Sequence, residues 1–143
     1  MAAGRGRLDT LLRVRRIEED RVKAELARAN VAHREAEAAV QRAHGVYRER
    51  AQDRPRGAVA EFLGAQQRAA AAAKSVVLAG SALQEVTRRT ESAREEVRIA
   101  VLRSEGLQRL VERAAQALLA ETLAADQRTA EESRAAKKPR GRR

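Results

Sequence analysis

Apolar side chains return at alternating steps of four and three residues along almost the whole chain, and one short break divides the pattern in two. The first run passes through Leu8, Leu12, Arg15, Glu19, Val22, Leu26, Ala29, His33, Ala36, Val40, Ala43 and Tyr47. The second starts at Ala58 and Phe62 and continues by the same steps through Val76, Leu83, Val86, Val97, Leu107, Val111, Ala114 and Leu118 to Ala125. An apolar seam at 3.5 residues per turn is the condition for a left-handed coiled coil. Ala alone does not produce the pattern, because the Leu, Val and Phe residues fall repeatedly on the seams.

The break is Asp53-Arg54-Pro55-Arg56-Gly57. Proline removes a backbone donor and glycine permits positive φ, so a helix ends here. The spacing therefore predicts a coiled-coil helix over 8–52, a turn over 53–57 and a second, longer helix over 58–133. Residues 1–7 and 134–143 read as basic disordered tails. Gly80 and Gly106 inside the second helix cost about 1 kcal/mol each relative to Ala. Glu19–Lys23, Glu85–Arg89 and Glu105–Arg109 are spaced as helical ion pairs in the favoured orientation.

Two heptad helices joined by a short break predict an all-α fold, an antiparallel coiled-coil hairpin. Turning about residue 55 makes facing residue numbers add to about 110. Leu26 then meets Leu83, Val22 meets Val86 or Arg88, and Tyr47 lies near Phe62. The first helix would run out near Leu8, leaving the seam at Leu107, Val111, Ala114 and Leu118 uncovered. An apolar stripe without an internal partner invites a protein partner, a second copy or a frayed end.

Composition agrees with this reading and excludes others. Aromatics are 1% of the chain and charged residues 35%, so long helices are favoured over an ordinary packed core. The chain has no Cys, which removes disulfide frameworks and thiolate metal sites. No stretch approaches the ~20 apolar residues of a membrane span, and the basic N-terminus lacks the apolar region of a secretory signal. The expectation is a cytoplasmic chain.

No catalytic constellation is visible. His33 and His44 are eleven residues apart, ~16 Å along a helix, too far to share a metal. The carboxylates at Glu18-Glu19-Asp20, Glu95-Glu96 and Glu131-Glu132 read as solvated faces, because a two-helix hairpin offers no pocket to desolvate them. A non-enzyme without cofactor is expected. The net charge of +10 raises nucleic-acid binding, but no recognition motif and no interleaved aromatics accompany it.

In its seam, in the early Leu8-Asp9-Thr10-Leu11-Leu12-Arg13-Val14-Arg15, in Tyr47-Arg48 before the turn and Phe62 after it, and in Leu119-Ala120-Glu121 to Asp126-Gln127 with Glu131-Glu132, the chain resembles the FliJ family. These are coiled-coil proteins of the flagellar type III export apparatus, related to stalk proteins of virulence secretion. The resemblance implies a non-catalytic export component, peripheral to the inner face of the cell membrane through its partners. Those partners would be the hexameric export ATPase, the cytoplasmic domain of the export gate and export chaperones. Carried onto this chain, the gate surface would involve Val40, His44, Tyr47 and Phe62. Leu107, Val111, Ala114 and Leu118, with the N-terminal turns, would suit the ATPase ring. The chain is richer in Ala at the seam than the family. Two other readings stay open: a basic coiled coil that coats nucleic acid, and a self-associating structural coiled coil.

Overall fold

The computed structural model describes residues 2–137, and their side chains from residue 4. The chain consists of two long helices packed against each other, α1 (Ala2–Gln52) and α2 (Val59–Lys137). No strand occurs among the described residues. Both helices run further than the heptad pattern indicates. Residues 2–7, expected as a tail, form the first turns of α1, because Ala2, Ala3 and the arginines favour helix and no proline interrupts them. α2 likewise passes residue 133 and ends with Arg134 and Lys137 in its last turn, where cations complement the helix dipole. The rest of the expected C-terminal tail lies outside the described residues.

The linker closes α1 and opens α2 with few bonds. The Asp53 amide donates to the Arg50 carbonyl at 3.3 Å, and the Ala58 carbonyl accepts from Glu61 and Phe62 at 3.0 and 3.4 Å. Gly57 has φ of 144°, a conformation that side chains oppose. A Cβ there would also sit 2.9 Å from a carboxylate oxygen of Glu61.

The chain divides into two compact units. The unit Glu19–Ala100 contains the linker and the helix segments on either side of it, antiparallel to each other. Its seam coincides with the heptad positions. Val22, Leu26, Ala29, His33, Ala36, Val40 and Ala43 on α1 are half-buried, as are Val76, Leu83, Val86 and Val97 on α2. Ala65, Ala72 and Thr90 are buried. Thr90 is the most enclosed polar side chain among the described residues, 3% exposed. Its hydroxyl donates to the Val86 carbonyl at 2.9 Å and lies 3.4 Å from the Ala29 carbonyl of the facing helix. A hydroxyl satisfied within its own helix can sit in the seam without the cost of a bare polar group.

The register differs from the expected one. Ala29 faces Thr90, and Asp53 approaches Arg68 at 3.8 Å. Facing numbers thus add to about 120 instead of 110, and each residue meets a partner about ten positions further along, ~15 Å at helical rise. Continuing by seam steps from Ala29 and Thr90 places Leu26 opposite Ala93, Ala36 opposite Leu83, Ala43 opposite Val76 and Tyr47 opposite Ala72. In these four layers a large residue meets a small one, while Val22 falls opposite Val97 and His33 opposite Val86. The expected register would set Leu26 against Leu83 and Ala43 against Ala65, alternating overfilled and empty layers. Uniform filling wins because both overpacking and voids cost stability. A slip of three seam steps keeps apolar facing apolar, so periodicity could not reveal it.

The other unit joins Met1–Glu18 to Val101–Arg143. Leu12 is its most enclosed apolar residue, at 8% exposed, and Ser104 is 7% exposed with its hydroxyl donating to the Val101 carbonyl at 3.1 Å. Arg16 donates to the Gln108 side chain across the helices at 2.8 Å. Leu8, Leu107, Val111 and Ala114 are half-buried. The ion pairs on both units are local. Lys23 with Glu19, and Arg89 with Glu85, close as spaced, whereas Arg109 does not pair with Glu105. Such exposed pairs contribute only tenths of a kcal/mol each.

Candidate partner-binding surfaces

Around the linker, the register leaves the start of α2 without a helical partner. Asp53, just past the end of α1, already lies beside Arg68. The two turns of α2 before Arg68 therefore have no α1 residue opposite them. Val59, Phe62 and Leu63 are accordingly 75%, 58% and 53% exposed. Of the four residues assigned to a gate surface, Val40 is half-buried in the seam, while His44, Tyr47 and Phe62 are exposed. The expected proximity of Tyr47 and Phe62 does not occur. Tyr47 lies opposite Ala72, and the Phe62 level is about ten residues, ~15 Å, further along the axis.

The second candidate surface also changes. The stripe of Leu107, Val111, Ala114 and Leu118 was expected to lie bare, but only Leu118 is exposed. Two causes act together: α1 begins at Ala2 instead of Leu8, and the register brings its first turns beside this part of α2. What remains open is an elongated groove where the paired seam ends, lined by Arg5, Leu8, Ala114, Ala117, Leu118 and Glu121. Beyond it, Leu119 and Leu123 are 61% and 55% exposed. The seam steps past Leu118 are Glu121, Ala125, Arg128 and Glu132, too polar to continue a coiled coil.

A third surface was not foreseen. Val77 and Leu78 are 67% and 60% exposed on α2, although the heptad pattern places them outside the seam. The sequence does hold a signal for it. Residues 62–84 contain no Asp or Glu and only two charges, Arg68 and Lys74.

Electrostatically, the perturbed groups are surface ion pairs. The hydrogen bonds from Arg98 hold the Glu95 carboxyl below its ordinary value and raise the guanidinium, and the bond to Glu19 raises Lys23. Among the described residues no cluster of His, Cys, Asp and Glu is arranged to hold a metal, and no helix is long and apolar enough to cross a membrane. No protein-family model matches the chain, and no curated protein or solved structure is similar to it.

Proposed function

We propose that this chain is a non-catalytic coiled-coil component of the flagellar type III export apparatus, of the kind the FliJ family supplies, binding the export ATPase ring and the cytoplasmic domain of the export gate. The observation that supports this reading is the pairing of two long antiparallel helices along a heptad seam, the architecture expected for that family. Side-chain burial is sparse among the described residues, and the pair offers exposed apolar positions for other proteins.

The ATPase contact in this reading moves to the end of the seam. Leu118, Leu119 and Leu123 are the exposed leucines there, and they replace the half-buried Leu107, Val111 and Ala114. The gate contact keeps His44, Tyr47 and Phe62. In this reading the chain works at the inner face of the cell membrane. Retention of its host's export ATPase or gate subunit from lysate, in salt high enough to suppress phosphate binding, is the expected result. Loss of the ATPase alone in Leu119→Asp would assign the surface. Recovery of nucleic acid at low salt, with neither protein, would sink the proposal.

A further inference from the structure

The seam explains why α2 is apolar on the side that meets α1. It does not explain the apolar side chains that α2 turns outward near the linker. Val59, Leu63, Ala70 and Val77 follow at intervals of four, seven and seven residues, so they share one flank of the helix. Leu78 adjoins them, and Phe62 lies at the unpaired end. The five large residues among these are 53–75% exposed, an unusual concentration of bare apolar surface for a chain with so small a core.

The charge around this flank is one-sided. The chain carries 20 acidic residues among 143, so a stretch of residues 62–84 would ordinarily hold about three. It holds none, and its two charges are Arg68 and Lys74. Arg54 and Arg56 stand exposed on the linker beside Val59, and no carboxylate pairs with them. The nearest acids, Asp53 and Glu61, face Arg68 and Gly57 respectively. An outward helix flank with bulky apolar residues, at whose margin the cations Arg54, Arg56 and Lys74 outnumber the acid Glu61, suits the headgroup region of an anionic bilayer, which needs no shaped pocket.

We propose that residues 59–78 of α2, with the arginines of the linker, form an interfacial docking surface for anionic lipid. The helix lies in the plane of the membrane, with Phe62, Leu63 and Val77 at the boundary between headgroups and acyl chains and the cations at phosphate level. Apart from Phe62, which the export reading gives to the gate, this inference uses residues that reading leaves unassigned, so it rests on the exposure and charge of one helix flank.

The test is co-sedimentation of the full chain with phosphatidylcholine vesicles, with and without phosphatidylglycerol. Binding about tenfold stronger to the anionic vesicles is expected. The double variant Leu63→Asp/Val77→Asp, with helicity checked by circular dichroism, should lose about tenfold or more of it. Because the chain has no Trp, Leu63→Trp gives a single fluorescent probe that keeps the site apolar, and its emission should shift to the blue on anionic vesicles. Vesicle binding with unshifted emission would overturn the proposal in favour of binding through the basic chain ends. Absence of vesicle binding would overturn it outright. A mass that rises with concentration and falls in Val77→Asp, without vesicle binding, would assign the flank to a second copy instead.

Discussion

The two helix segments next to the linker show how differently one heptad pattern can be dressed. Residues 30–52 of α1 carry seven charged side chains, and residues 62–84 of α2, the same length of chain, carry two. Apart from the exposed Tyr47 and Phe62, their seams are nevertheless alike, with half-buried or buried positions at the same alternating steps. The contrast lies outside the seam. The α1 segment presents Arg34, Glu37, Arg42 and Arg48 to solvent beside Val31 and Val46, whereas the α2 segment presents Leu63, Val77 and Leu78 with only Arg68 and Lys74 charged. The seam thus determines that two helices pair, and the remaining positions determine what else each helix meets. A coiled coil needs only about two positions in seven for its own stability, so the others are free to carry function.

That division can be broken first at the seam. Leu26→Asp places a charge in a half-buried layer and should destabilise the unit by about 2–4 kcal/mol, read as a lower denaturant midpoint. An unchanged midpoint would mean that Leu26 is not a seam residue. Ala72→Leu sharpens the register. Opposite Tyr47 it should overpack and cost about 1–3 kcal/mol, whereas opposite Ala36, where the expected register would place it, the added bulk would stabilise. Gly57→Ala should cost about 1–2 kcal/mol through its positive φ, measured by thermal unfolding, and a neutral result would show that the linker relaxes freely. Val77→Asp, on the outward flank, should move stability by no more than about 0.5 kcal/mol. A loss comparable to that of Leu26→Asp would erase the distinction between seam and flank.

The smallest effect is electrostatic. Arg98 depresses the folded-state value of Glu95 below its ordinary 4.5, so this pair stabilises the fold above that ordinary value. The contribution fades as pH falls through the depressed value. Glu95→Gln should therefore melt slightly below the wild type at pH 7 and coincide with it in strong acid. Both groups are fully exposed, so added salt should shrink the difference at pH 7 as well.

Much of the fold was legible because it rests on local rules. Pro55 and Gly57 mark the linker within a residue or two, and every position the heptad steps name from Leu8 to Ala43 is buried or half-buried. The candidate surfaces were less legible. Phe62 is exposed because the helices pair off-centre from the linker, and Leu107, Val111 and Ala114 are half-buried for the same reason. Leu119 lies outside the seam without a periodic signal, and the steps of four and seven through Val59, Leu63 and Val77 show a shared flank but not what covers it. Only the acid-free run around Val77 distinguished its neighbourhood from any other outward face.

The amino-acid sequence by itself determined that this protein is two long helices with one break between them and one apolar seam on each. Those properties follow from backbone sterics and from a spacing that only a helix converts into a face. The tertiary structure decided which layer meets which. A seam rich in alanine looks nearly the same after a slip of ten residues, so periodicity leaves several registers open. The choice among them depends on volumes matched across the interface, as Leu26 against Ala93 and Ala36 against Leu83 illustrate. That choice, in turn, set which apolar residues were covered and which were left for partners.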